Sequence, residues 1–314
     1  MHMLRRLTIA PSLVAASLVA AGLVAASLAA VLPLPARAQT AAPVPPLLGI
    51  AHIAIRVHDI AASVAFYNKL GFEQAFAMTA KDGTTVSQSF IKLDDRQFIE
   101  LYPVTTSNPK IGFLHLCFEG EDLNAIHDRY VADGLTPITV RKAGAGNLLF
   151  TLKGPQQFAD PQNIEYTQYM PGSLHSNDFG KHLGADRIAT KMTVVTLAMK
   201  DPAAARTFYL TKLGFTASPT SPTALDLPGP SGEQIDIVPL TPLGAASSIT
   251  LETASMVAAT KRLTGQHIAF TNSEPGKIPG RPNSKMRVNP PMPPTLTIVD
   301  PDGNQIHIVG HTEP

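Results

Sequence analysis

The chain has 314 residues, 44% apolar and 16% charged, which is ample core-forming content and excludes wholesale disorder. Its 25 basic and 24 acidic side chains nearly cancel, which excludes a strongly basic nucleic-acid binder. A lone cysteine excludes an internal disulfide framework and any Cys-rich zinc module.

Arg5 and Arg6 precede an Ala/Leu/Val-rich run from Leu7 to Leu34, and Ala36-Arg37-Ala38 follows as a small-x-small cleavage pattern. Residues 1–38 are therefore expected to be a secretory signal peptide, with a periplasmic or secreted mature chain. The run is also long enough to span a bilayer, so an uncleaved anchor is the alternative. Removing it takes away three arginines and leaves 22 basic against 24 acidic residues. Residues 39–47, with Pro43, Pro45 and Pro46, read as a flexible lead-in.

The folded part opens with an alternating strand near Leu48. Asp59 then suits an N-cap, an amphipathic helix follows, and Leu70-Gly71 stops it. Strands are expected at about 72–78, 87–93 and 97–104. A second unit of the same kind has a strand at 112–118, a helix at 121–133, and strands near 136–142, 148–153 and 163–170.

The first helix recurs. Asp59 to Phe72 matches Asp201 to Phe215, an offset of 142, and Asp160-Pro161 matches Asp300-Pro301, an offset of 140. Two markers at nearly one offset imply a duplicated domain. The expected organisation is a domain at 48–172, a polar surface linker at 173–187 carrying His175 and His182, and a second copy at 188–314. Each copy holds two βαβββ units, making an α+β fold of four. The Pro-rich stretch 275–294 reads as a long loop.

Strand alternation sorts the side chains. Ile53, Ile55 and Val57 share one face, and His52, Ala54 and Arg56 the other. Ile99 and Leu101 oppose Glu100 and Tyr102. Leu114, Leu116 and Phe118 oppose His115 and Cys117. Ile164 and Tyr166 oppose Glu165 and Thr167. All four titratable candidates thus lie opposite the face that meets a helix. His52 to His115 spans 63 residues and Glu100 to Glu165 spans 65, so each unit supplies one His and one Glu from equivalent strands. Two imidazoles and two carboxylates suit a divalent transition metal.

These residues carry a resemblance. His52-Ile-Ala-Ile-Arg-Val-His-Asp59, Phe66-Tyr67, Leu70-Gly71-Phe72, Phe98-Ile-Glu-Leu101, Gly112-Phe-Leu-His115 and Asp160-Pro-Gln-Asn-Ile-Glu165 resemble the glyoxalase / extradiol dioxygenase / bleomycin-resistance superfamily, the vicinal oxygen chelate proteins. The resemblance implies two pseudo-equivalent glyoxalase-like halves with cupped mixed β-sheets. It implies that the side chains of His52, Glu100, His115 and Glu165 meet around one ion: nickel, cobalt, zinc, manganese or iron(II). Glyoxalase I uses this His-Glu-His-Glu ligand pattern, so Glu165 is the first-choice base with Glu100 its counterpart. Arg56 falls where that enzyme has an Arg contacting a substrate carboxylate, although a structural ion pair explains it as well. Tyr102 and Thr167 are the other candidate substrate contacts, or supports for the ligands.

The implied chemistry is lyase or isomerase proton transfer on a small substrate with vicinal oxygens. Extradiol ring cleavage is the alternative, matched by four βαβββ units in one chain but crowded by Glu100. Sequestration of a small molecule, as in the bleomycin-resistance proteins, is the third. The expected partner is a small molecule, with no nucleic acid and no membrane once the leader is cleaved; a homodimer stays open. In the second half Val194 replaces His52, Asp236 replaces Glu100, Ser248 or Thr250 stands for His115, and His307 replaces Glu165, so this half is expected to be a degenerate copy. Cys117 is read as a packing residue beside His115, and His58 and His127 as solvent-facing.

Overall fold

The computed structural model describes residues 44–240, 247–273 and 293–310. The expected leader at 1–38 lies outside the described residues, as does all but the edge of the Pro-rich 275–294 loop. Among the described residues no helix is long and apolar enough to cross a membrane.

The first half runs β1 (Leu47–Val57), α1 (Ile60–Lys69), β2 (Glu73–Thr79), β3 (Val86–Lys92), β4 (Phe98–Pro103), then β5 (Gly112–Gly120), α2 (Leu123–Ala132), β6 (Arg141–Lys142), β7 (Leu148–Gln156) and β8 (Pro161–Gln168). A short helix, α3 (Leu174–Asn177), leads to the second half. That half repeats the order: β9 (Lys191–Met199), α4 (Pro202–Lys212), β10 (Thr216–Ala217), β11 (Ala224–Asp226), β12 (Gln234–Pro239), β13 (Ser248–Thr253), α5 (Met256–Gly265), β14 (Phe270–Ser273), β15 (Thr295–Val299) and β16 (Gln305–Gly310). The duplication read from the sequence is thus two copies of a βαβββ pair.

Each half makes one eight-stranded mixed sheet, ordered β2-β3-β4-β1-β5-β8-β7-β6 and β10-β11-β12-β9-β13-β16-β15-β14. The two units of a half join through an antiparallel central pair, β1 with β5 or β9 with β13. Within each unit the first and last strands are parallel, as the helical crossover between them requires.

The helix boundaries follow from local chemistry. Asp59 accepts from the backbone N–H groups of Ala61 and Ala62, and Asp201 from that of Ala204, where Pro202 opens the helix. Gly71 and Gly214 follow the C-caps with φ of 88° and 76°, which suits glycine. Gly71 also admits a close neighbour: a Cβ there would lie 2.6 Å from the Asp186 carbonyl oxygen.

One apolar core spans both halves, with Tyr67, Leu116, Tyr166, Val195, Tyr209 and Ile306 all buried in it. Polar ties cross the seam. Gln97 donates to the Met192 carbonyl (2.9 Å) and accepts from the Met192 N–H (2.6 Å). The Glu233 carboxylate accepts from Gln97 (3.0 Å) and from the Ile50 N–H, and faces Lys191 at 3.2 Å.

Three expectations are corrected here. The lead-in does not extend to residue 47: Leu47 is buried, begins β1 and donates its N–H to the Pro228 carbonyl. The 173–187 segment is not simply a surface linker, because His175 and Asp178 are buried. His127 is not fully solvent-facing; its ring packs edge-on against Phe150. His58 is exposed as expected, and its Nδ1 lies 2.5 Å from Asp302.

Candidate metal centre

The four candidate side chains sit on four adjacent strands in the order β4, β1, β5, β8. Glu100 pairs in register with Ala54, Ala54 with His115, His52 with Cys117, and Cys117 with Glu165. In a flat sheet β4 and β8 would stand about 14 Å apart, three strand spacings. Yet a Glu100 oxygen lies 3.5 Å and a Glu165 oxygen 3.6 Å from the same atom, His52 Nε2. The sheet therefore curls so that its outer glutamates reach in over its central histidines.

The remaining separations close the cluster. His52 Nε2 and His115 Nε2 lie 3.1 Å apart. His115 Nε2 is 3.8 Å from Glu100 and 4.0 Å from Glu165. Two donor atoms each about 2.1 Å from a shared ion lie about 3.0 Å apart at a right angle and about 3.4 Å at the tetrahedral angle. The observed range of 3.1–4.0 Å is close to what such a centre needs. His52, Glu100 and His115 form one group able to hold a metal ion; His52, Cys117 and Glu165 form another.

The electrostatics agree. Burial lowers the His52 imidazole well below its ordinary range, with help from His115 and His175, and brings His115 down to about 4. Burial raises Glu165 to about 7, and burial with the nearby Glu165 charge raises Glu100 well above its normal value. Both imidazoles are thus neutral, the form that binds a metal, while the two carboxyls share one desolvated space in which a bound cation would favour their charged form over the proton. His52 Nδ1 is buried without a hydrogen-bond partner among the described residues.

A cavity of about 170 Å³ opens over the cluster, lined by Glu100, Glu165, Tyr102, Arg141, Asn147 and His175 among others. Tyr102 donates its hydroxyl to Glu100 (3.1 Å) and accepts from Gln88. Thr167 does not line the cavity; it donates to the Leu148 carbonyl and accepts from Asn147 at 2.6 Å, holding a residue that does. Arg56 also does not line it, and its guanidinium donates to the Lys110 carbonyl at 3.1 Å. β1 ends one residue after Arg56, at the rim of the sheet, so a cup-facing position there does not reach the cavity. Gln88, Arg141, Asn147 and His175 are the polar lining residues that strand reasoning did not single out. Arg141 lies in a two-residue strand and His175 in the joining segment, where no periodicity signals a face.

Register places Val194, Asp236, Ser248 and His307 where the first half has His52, Glu100, His115 and Glu165. Ser248, not Thr250, is therefore the His115 equivalent. His307 Nδ1 is 2.9 Å from the Thr297 hydroxyl, and neither His307 nor Asp236 joins a metal-holding group among the described residues.

Residues 49–166 match the model of the Glyoxalase/Bleomycin resistance protein/Dioxygenase superfamily. An ethylmalonyl-CoA/methylmalonyl-CoA epimerase from Cereibacter sphaeroides is 37% identical over 125 residues, which cover 36% of this chain and 88% of the relative. Among solved structures, the Mn(II)-bound glyoxalase from Novosphingobium aromaticivorans superposes with a TM-score of 0.62 at 16% identity, covering 85% of this chain and 83% of its own. The 2,3-dioxygenase LapB from Pseudomonas sp. KL28 gives 0.56 at 14% identity, covering 85% and 93%. At such identities these structures speak to the fold alone.

Proposed function

The chain belongs to the glyoxalase/bleomycin resistance protein/dioxygenase superfamily, and on that premise we propose that it is an exported, metal-dependent lyase or isomerase. Its substrate is a small molecule whose reacting carbon lies beside oxygen-bearing groups, and the reaction moves a proton at that carbon. The observation that carries this reading is the convergence of two glutamates and two histidines under one small cavity.

His52, Glu100, His115 and Glu165 would hold a divalent ion. When bound, such an ion supplies Lewis acidity to substrate oxygens and so acidifies the neighbouring C–H. The chain's own residues do the rest. Glu165 is the base, a carboxylate on the cavity wall 3.6 Å from His52 Nε2. Glu100 is its counterpart, held in place by the Tyr102 hydroxyl. The two carboxylates come from β4 and β8, on either side of the histidine strands, so one can take a proton while the other returns one. A pair placed in this way suits inversion of a carbon centre, and the similarity to an epimerase supports this form of the reaction. A cavity of about 170 Å³ fits a short acyl or hydroxycarbonyl unit.

The test is solvent-deuterium exchange into malonyl-type and α-hydroxycarbonyl compounds by the metal-loaded chain. Glu165→Gln should slow exchange by about 10²–10⁴. Exchange at the wild-type rate in that variant would sink the assignment of the base. Oxygen uptake on catechols without exchange would transfer the site to ring cleavage, and stoichiometric binding without turnover would make it a sequestering protein.

A further inference from the structure

We infer that His175 binds the substrate, its imidazole holding an oxygen-bearing group against the cavity wall. This rests on the reading above that the cavity takes a small oxygenated molecule. His175 lies in α3, beyond the residues that match the superfamily, so its role belongs to this chain's joining segment.

His175 is 2% exposed, yet among the described residues neither Nδ1 nor Nε2 has a hydrogen-bond partner. Buried donors and acceptors without partners are rare and costly, and a ring with two is rarer still. Mobility does not explain it. The ring stacks on Tyr169 at 4.3 Å and 9°, and meets Phe76, Phe90 and Phe98 edge-on at 5.0, 5.4 and 5.1 Å. The segment that carries it is pinned. Lys92, with no exposed surface, pairs with Asp178 at 2.8 Å, and the Leu174 N–H donates to the Ala145 carbonyl at 2.8 Å. Gly146 lets this segment approach, since a Cβ there would lie 3.1 Å from Ser173 Cα. An imidazole is therefore fixed, unsatisfied, on the wall of the same cavity that Glu100 and Glu165 line.

If the ring only filled space, phenylalanine would serve as well among these aromatic neighbours. A neutral imidazole instead offers one N–H and one lone pair, which suits a carbonyl, hydroxyl or carboxylate oxygen. A small dicarboxylate is the simplest molecule with one oxygen group for the glutamate–histidine cluster and another for His175.

The experiment measures malonate binding by calorimetry to the full chain loaded with Mn(II), for wild type, His175→Phe and His175→Gln. The phenylalanine variant keeps the packing and loses the polar atoms. It should take up Mn(II) like wild type, bind malonate about 10- to 100-fold more weakly, and melt no lower than wild type without malonate. The glutamine variant should recover part of the affinity. His175→Leu replaces the phenylalanine variant in the comparison if the latter does not fold. A wild type that takes up Mn(II) but binds malonate no better than His175→Phe overturns this inference alone. A wild type that takes up no Mn(II) overturns the metal reading, and this inference falls with it.

Discussion

His175→Phe also changes how stability responds to pH, by an amount that follows from where the ring sits. Burial holds the native imidazole down to about 4, against 6.5 for the ordinary group, with Asp178 pulling the other way. Between those values the unfolded chain binds a proton that the native chain does not, so wild-type stability rises with pH across the window. The contribution is complete above 6.5 and is lost as pH falls towards 4. At about 1.4 kcal/mol per pKa unit, this difference amounts to about 3 kcal/mol in full, and to about 2 kcal/mol by about pH 5. Phenylalanine carries no proton and lacks this dependence. Urea unfolding of both proteins without metal should therefore show the variant gaining about 2 kcal/mol on wild type between about pH 7.5 and pH 5. His175 also helps hold the His52 imidazole down, so its removal lets His52 take up a proton more readily in the fold and adds to the variant's gain at low pH rather than opposing it. Parallel pH profiles would refute the reasoning, because the imidazole would then be protonating as freely in the fold as outside it.

Two further substitutions separate the cavity from its surroundings. Arg141→Ala should raise KM several-fold for an anionic substrate, whereas Arg56→Ala should leave KM unchanged, since only the first lines the cavity; steady-state kinetics at two salt concentrations checks both. Lys92→Met removes the buried cation from Asp178, leaving it only His182 at 2.5 Å, and should cost about 3 kcal/mol in urea unfolding, the low end for breaking a buried pair. It should weaken malonate binding as well, by freeing the segment that carries His175.

Most of the fold and the centre of the site were legible in the residues because strands make side-chain direction a matter of counting. Position 52 and position 115 lie opposite their apolar neighbours, and the 63- and 65-residue spacings tie each His and Glu to one repeated unit. The helix stops at Leu70-Gly71 and Leu213-Gly214 were readable for the same local reason, a left-handed residue that only glycine adopts easily. What could not be read depends on distant contacts. The segment that buries His175 is held by Lys92, which pairs with Asp178 86 residues further along the chain. Arg56 obeys alternation but sits at a strand end, where the face no longer points into the cup. Arg141 reaches the cavity from a strand too short to show a period.

The convergence of His52, Glu100, His115 and Glu165 on one ion is tested most directly by elemental analysis of the purified full chain beside His52→Ala and Glu165→Ala, with circular dichroism to confirm the fold. The expected result is about one divalent transition metal per wild-type chain and loss of that metal from both folded variants. Wild-type metal content in both variants, or a wild type that takes up none, would contradict it.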